Sequence, residues 1–173
     1  TEGHDNTASG SHALFSNTTG NQNTASGAYA LFINSTGSYN TASGYQALSS
    51  NTEGNYNTAN GYHALYKNTT GRFNTAVGSQ ALEKNTEGRS NTAVGFYALM
   101  HKERGNGNTA VGEKALLENT TGSGNTAIGF QAGVFNSGNN NVFIGYGAGS
   151  NIRFKNVSNR LVVANGSNPS DAL

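Results

Sequence analysis

The chain of 173 residues contains no cysteine and no tryptophan, one proline and one methionine. Without cysteine there is no disulfide stapling and no thiolate metal site. Hydrophobic residues make up only 34% and charged residues only 11%, with a formal net charge of +1. A balance so close to zero argues against electrostatic capture of nucleic acid or of an anionic membrane. No apolar run is long enough to span a bilayer, and no signal peptide opens the chain. Low hydrophobicity alone raises the prior for disorder, but disordered chains usually pair it with high net charge. What replaces charge and apolar bulk here is glycine, 24 residues in all, together with heavy use of Asn and Thr.

These residues are strictly ordered. Asn-Thr-Ala recurs every 17 residues, starting at Asn6, Asn23, Asn40, Asn57, Asn74, Asn91, Asn108 and Asn125. A unit of this size cannot bury a core alone, so it must be one coil of a stacked, quasi-one-dimensional structure. With Asn6 as position 1, the first three positions, Gly at position 5 (Gly10 to Gly129) and Ala at position 8 (Ala13 to Ala132) never vary. Leu holds position 9 from Leu14 to Leu116, Gly133 replaces it in coil eight, and Gly holds position 15 from Gly20 to Gly122.

Two glycines per unit make helix expensive, at roughly 1 kcal/mol each against Ala, and Asn and Thr compete for helical backbone bonds. The pattern predicts two short strands per coil, Thr-Ala-x-Gly and x-x-Ala-Leu. A polar Asn-Thr-x-Gly return turn follows, its glycine free to take positive φ. Stacked coils pair as parallel strands about 4.8 Å apart. The first-position asparagines then form a structural ladder, bonded along the column. Position 4 drifts from Ser9, Ser26, Ser43 and Asn60 to Val77, Val94, Val111 and Ile128. It is either a spine facing an inter-chain axis or a solvent-facing column.

The expected fold is all-β, a repetitive parallel β-roll or β-solenoid of 17-residue coils over residues 1–150. Residues 151–173 read as a truncated transition or neck, in which 160–164 form a strand. The first residue, Thr1, falls in the middle of a unit, which suggests an excised fragment. Two alanines and one leucine per coil are a thin apolar supply, so the economical expectation is a homotrimer in which three chains complete one prism.

The pair after the first glycine varies most, as expected of an outer surface. Tyr29, Tyr45, Tyr62, His63, Phe96 and Tyr97 are the candidate contacts for a glycan or protein receptor. The competing reading is aromatic packing between coils or chains. His12 and His63 share a position but lie three coils apart, roughly 14 Å, too far to share a metal within one chain. No catalytic constellation and no cofactor site emerges: serines lack a nucleophile-elbow context, and Gly145 to Gly149 lack the Lys of a phosphate loop. Asn17, Asn34, Asn68, Asn119, Asn156 and Asn165 head glycosylation sequons, mostly by-products of the turn. The turn of coil six departs from the rule, reading Met100-His101-Lys102-Glu103-Arg104-Gly105. With Glu83, Lys84, Glu87, Arg89, Glu113, Lys114 and Glu118 nearby, it reads as a solvated charged face or a recognition patch.

Asn-Thr-Ala-Val-Gly-x-x-Ala-Leu, and above all Asn141-Val142-Phe143-Ile144-Gly145-Tyr146-Gly147-Ala148-Gly149, resemble the head repeats of trimeric autotransporter adhesins across residues 6–149. The resemblance implies a left-handed homotrimeric β-prism; the turn Asn17-Thr18-Thr19-Gly20 is an expansion of the shorter coil usual there. The tail from Asn159 to Leu173 is similar to segments preceding the C-terminal intramolecular chaperone of phage tail-fibre and endosialidase-like proteins. Both imply a trimeric extracellular fibre, on a bacterial surface or a phage-like particle, that attaches to a receptor, and neither carries a catalytic residue onto this sequence; an enzymatic fibre has no residue constellation to support it. Neither implies nucleic-acid binding or membrane insertion of this segment. The alternative is an ice-binding solenoid, suggested by the rank of Thr7, Thr24, Thr41, Thr58, Thr75, Thr92, Thr109 and Thr126.

Overall fold

The computed structural model describes residues 3–165. It is a β-solenoid with one three-residue strand per coil. These are β1 (Thr7–Ser9), β2 (Thr24–Ser26), β3 (Thr41–Ser43), β4 (Thr58–Asn60), β5 (Thr75–Val77), β6 (Thr92–Val94), β7 (Thr109–Val111), β8 (Thr126–Ile128), β9 (Val142–Ile144) and β10 (Leu161–Val163). They form one parallel sheet in sequence order. Thr pairs with Thr and Ala with Ala from β1 to β8, as the repeat requires. The sheet continues past the last repeat: Leu161 of β10 registers with Val142 of β9. Residues 166–173 of the expected neck lie outside the described residues.

Strand pleating sends successive side chains to opposite faces. In Thr-Ala-x only Ala points inward, and from Ala25 to Ala127 this column is 0–1% exposed. Gly at position 5 ends each strand with φ near +130°, as at Gly10, Gly44 and Gly78, a conformation that side-chain-bearing residues avoid.

The second predicted strand does not form. Ala30 and Leu31 are adjacent, yet both are 0% exposed, as are Ala47–Leu48 through Ala115–Leu116. A pleated strand would send one of each pair outward. The chain instead places positions 7 and 9 in the left-handed region, with φ 59° at Tyr29 and 50° at Leu31. Such a conformation costs about 1–3 kcal/mol per residue, a sum comparable with the roughly 1.5–3 kcal/mol gained by burying a leucine. Backbone bonds along the axis survive the curl: Leu31 N–H donates to the Ala47 carbonyl at 3.0 Å, and Tyr29 N–H to the Ser11 carbonyl at 2.9 Å.

Polar ladders close the coil. From Asn23 to Asn141 the first-position asparagines are fully buried. Asn57 N–H donates to Asn40 Oδ1 at 3.0 Å, and Asn57 Nδ2 donates to the Gly71 carbonyl at 2.8 Å. A second ladder, missed in the sequence because it was assigned to a polar turn, runs at position 12. There Asn51 Nδ2 donates to Asn34 Oδ1 at 2.7 Å and Asn68 Nδ2 to Asn51 Oδ1 at 2.8 Å. Both ladders converge on the position-15 glycine: the Gly54 carbonyl accepts from Asn40 and Asn51 at 2.8 and 2.9 Å. That glycine is needed for proximity, where positive φ had been expected. A Cβ on Gly71 would stand 2.6 Å from the Gly88 carbonyl oxygen and 2.7 Å from Asn85 Nδ2.

Coils eight to ten replace the unit by a size-compensated version. Phe143 takes the inward alanine position and is 0% exposed. The leucine positions on either side become Gly133 and Gly149, where an added Cβ would collide with the Phe143 ring. A 3₁₀ turn, Ile152–Phe154, brings Phe154 edge-on to Phe143 at 6.3 Å. The Val157 carbonyl accepts from Asn141 Nδ2 at 2.8 Å, taking over the role of the turn glycine.

Replacing Asn68 by Ala removes the donor to Asn51 Oδ1 and one donor to the Gly71 carbonyl. We expect a loss of about 2–3 kcal/mol in urea denaturation, the cost of buried unsatisfied groups. Leu65→Ala should cost about 2–5 kcal/mol, and Glu53→Ala on the exposed turn less than about 0.5 kcal/mol. A ladder variant as stable as Glu53→Ala would contradict the assignment.

Candidate recognition surface

Because the interior of most coils repeats closely, most differences between coils appear on the outside. Three columns carry them. The first is the outer face of the sheet, formed by positions 2 and 4. Position 4 points away from the coil's own core throughout. It is hydroxyl or amide in β1–β4 and aliphatic afterwards, with Val77, Val94, Val111, Ile128, Ile144 and Val163 all 37–44% exposed. The threonines flank this column on the same face, exposed in β1–β4 and half-buried in β5–β8.

The second column is aromatic. Four of the six sequence-predicted contacts come together: Tyr29 and Tyr45 at 6.3 Å edge-to-face, Tyr45 and Tyr62 stacked at 5.6 Å, and Tyr62 on His63 at 3.9 Å. The cluster extends beyond the six predicted contacts. His12 stacks on Tyr29 at 5.1 Å, Phe32 meets Tyr29 edge-on at 5.4 Å, Phe15 stacks on Phe32, and Tyr66 stacks on His63 at 4.7 Å. Phe15, Phe32 and Tyr66 share position 10, a second variable site that the focus on positions 6 and 7 passed over. Phe96 and Tyr97 stand apart as a pair 3.7 Å between centroids, because coil five places Ser79 and Gln80 between them and the cluster.

A third column, Tyr39, Tyr56 and Phe73 at position 17, was legible as a 17-residue recurrence and was missed. Its rings lie within 5° of parallel at 4.7 and 5.1 Å, close to the strand spacing of about 4.8 Å. Rings stacked this way spend their faces on one another and turn edges and hydroxyls to solvent. These residues are about half exposed. The same holds for Tyr45 on Tyr62, so the columns offer amphipathic edges more than free stacking platforms.

His63 is the polar junction of the cluster. Its Nε2 lies 2.6 Å from Gln46 Oε1, and its Nδ1 lies 3.9 Å from Glu83 Oε1. Gln80 donates to the other Glu83 oxygen at 2.9 Å. Burial lowers the His63 pKa below 6.5, outweighing the opposing pull of Glu83. The ring is therefore neutral at neutral pH. Among the described residues no three His, Asp or Glu side chains gather as a metal site would require, and no helix is long and apolar enough to cross a membrane.

The charges around coil six pair with one another: Arg104 with Glu87 at 3.5 Å, His101 with Glu118 at 3.0 Å, Lys114 with Glu113 at 3.2 Å. Exposed pairs of this kind contribute little. Lys102 is the exception and corrects the expectation of a solvated face. It occupies the ladder position between Asn85 and Asn119 and is 0% exposed. Its amine donates to Asn119 Oδ1 at 2.9 Å and to the Gly122 carbonyl. Desolvation lowers its pKa from 10.5 to about 7. Of the sequons, Asn34, Asn68 and Asn119 are ladder residues with no exposure, so they cannot accept a glycan in the folded chain.

No family model, no curated protein and no solved structure matches the chain.

Proposed function

We propose that this chain is a segment of a homotrimeric extracellular fibre that attaches to a receptor or surface. The observation that carries the proposal is the aliphatic column on the outer sheet face. Six β-branched side chains from Val77 to Val163 repeat once per coil and stay 37–44% exposed. At strand spacing this is a straight strip roughly 24 Å long. A contiguous exposed apolar strip marks an interface. The chain's own core does not need it, since the Ala and Leu columns are already sealed. Identical rods with identical straight strips satisfy them most simply by parallel association about a closed rotation axis. Three copies in a left-handed prism, as the adhesin-head resemblance implies, bring like strip to like.

In that arrangement the aromatic columns face outward along the rod. Tyr29, Tyr45, Tyr62 and His63, together with His12, Phe15, Phe32 and Tyr66, then form the receptor-reading surface, for a glycan or a protein. Phe96 and Tyr97 form a separate, smaller contact. The role is structural and adhesive, not enzymatic. The setting is a bacterial surface or a phage-like particle, as the resemblance to adhesin heads and tail fibres implies.

A second reading is favoured by one specific observation: the threonine rank faces outward. In β1–β4 Thr7, Thr24, Thr41 and Thr58 stand beside Ser9, Ser26, Ser43 and Asn60 on one face of a regular sheet. Such a hydroxyl array is suited to ordering water into an ice-like lattice. It requires the face to be free, whereas trimerisation covers it.

Light scattering and native mass spectrometry decide between them. We expect three times the chain mass, falling to the single-chain mass in Val94→Asp/Val111→Asp with the solenoid's circular dichroism retained. A wild-type monomer refutes the trimer, and thermal hysteresis with ice shaping in that monomer supports the second reading. For the trimer, we further expect Tyr45→Ala/Tyr62→Ala to weaken attachment to receptor-bearing cells at least tenfold without changing mass.

A further inference from the structure

The position-12 asparagine ladder is broken by a buried lysine. At position 12, asparagine passes its amide from coil to coil: Asn51 to Asn34, Asn68 to Asn51, Asn85 to Asn68, each at 2.7–2.8 Å. In coil six the next residue is Lys102, which is a donor only. Its amine bonds upward to Asn119 Oδ1 and to the Gly122 carbonyl. Nothing returns to coil five, so Asn85 Oδ1 is buried without a partner. Asn119 must turn its oxygen toward the amine, and its Nδ2 is buried without a partner as well. The ladder is thus broken on the coil-five side of Lys102 and reversed in polarity on the coil-seven side. The turn glycine shifts too: Gly105 takes φ +95°, where its counterparts in the other turns stay out of the positive-φ region.

Among the described residues no countercharge pairs with the amine. The titratable groups on its own turn are His101, Glu103 and Arg104. On coil five they are Glu83, Lys84 and Glu87, and on coil seven Glu118. His101 is held by Glu118 and Arg104 by Glu87, and both hydrogen bonds of the Lys102 amine go to uncharged oxygens. A charged ammonium in this position has its desolvation cost offset only by two neutral acceptors and by no opposite charge.

We propose that Lys102 makes coil six a proton-sensitive fault in the rod, at which the stack opens more readily at neutral and acidic pH than at alkaline pH. The sign follows from proton linkage. Folding lowers the lysine pKa from 10.5 to about 7. Between these values the unfolded chain binds the extra proton, so stability rises with pH. The gain approaches tenfold in the folding equilibrium per pH unit inside that window. Below about pH 7 both states are protonated, and the contribution lies flat at its minimum. Lys102→Asn restores the ladder and removes the titration together; Lys102→Met removes the titration and leaves the ladder broken.

The test is urea denaturation from pH 7 upward for wild type, Lys102→Asn and Lys102→Met, with differences taken at each pH so that the other titrating groups cancel. We expect Lys102→Asn to be more stable than wild type at pH 7 and the gap to close by close to tenfold in folding equilibrium per pH unit. Lys102→Met should lose the same pH dependence without the full stabilisation. Carbon-13 labelling of the lysine ε-carbons gives an independent readout in the unmutated protein: one signal should titrate near pH 7. Parallel stability profiles for wild type and both variants overturn the proposal, and so does the absence of a lysine titrating near neutrality. An intact mass short by one ammonia also overturns it, because Lys102 would then be amide-linked to Asn119 and unable to titrate.

Discussion

The carbonyl oxygen of the position-15 glycine is the point on which the coil closes. Two asparagines from opposite ends of the unit, Asn40 and Asn51 in coil three, donate to the same oxygen of Gly54. A solenoid this narrow has little apolar volume, and its turns carry backbone groups into the interior where water cannot satisfy them. An unpaired buried group costs about 1–3 kcal/mol. Asparagine meets the need because its side chain donates and accepts at once. It can bond the turn of its own coil while passing a second bond to the next. The glycine follows from the same requirement, because a Cβ there would enter the oxygen of the next turn and the side chains of the ladder. The invariance of Asn and Gly is thus one constraint seen from two sides.

Much of this was legible in the sequence, for a physical reason. A strict 17-residue period fixes stacking and parallel register, and alternation in Thr-Ala-x fixes which residue turns inward. The first Asn ladder follows from register alone. The second half of the coil was misread because extended backbone was assumed wherever helix was excluded. The contrary signal was present: Ala and Leu are adjacent and recur together through seven coils, and a pleat cannot bury neighbours. Left-handed leucine resolves the conflict, but no propensity argument favours it, since its cost is met only by tertiary burial. The second ladder was hidden because asparagine in Asn-Thr-x-Gly is equally at home in an exposed turn. Lys102 was hidden because lysine is almost never fully buried.

The end of the repeat obeys the same volume rule as its middle. Where Phe143 replaces alanine, the leucines on either side become glycines, so filling is conserved while the residues that supply it change. A close-packed interior tolerates such volume-conserving exchanges and resists isolated ones. Hence the irregular segment from Ile152 to Val157 still ends in a strand, β10, that pairs in register, with the Val157 carbonyl in the place of the turn glycine. The sequence repeat stops before the architecture does.

A self-sufficient core changes what the exterior has to explain. A thin apolar supply suggested that one chain could not complete its interior, yet the Ala and Leu columns are sealed within a single chain. Assembly is therefore not needed to finish the coil, and the case for it moves to the outer sheet face. That face cannot serve two ends at once. A hydroxyl array that orders water has to stay open along its length, and aliphatic side chains in the same column interrupt it. From Val77 onward position 4 is aliphatic in every coil, and the neighbouring threonines are half-buried against it. More than half of the face is thus an exposed aliphatic column, which the proposed trimer would cover. Association that begins along this strip aligns the coils of β1–β4 in the same register, where facing serines and threonines can bond to each other or to enclosed water at little cost. The drift from hydroxyl to aliphatic along one column therefore favours a covered face over an open one.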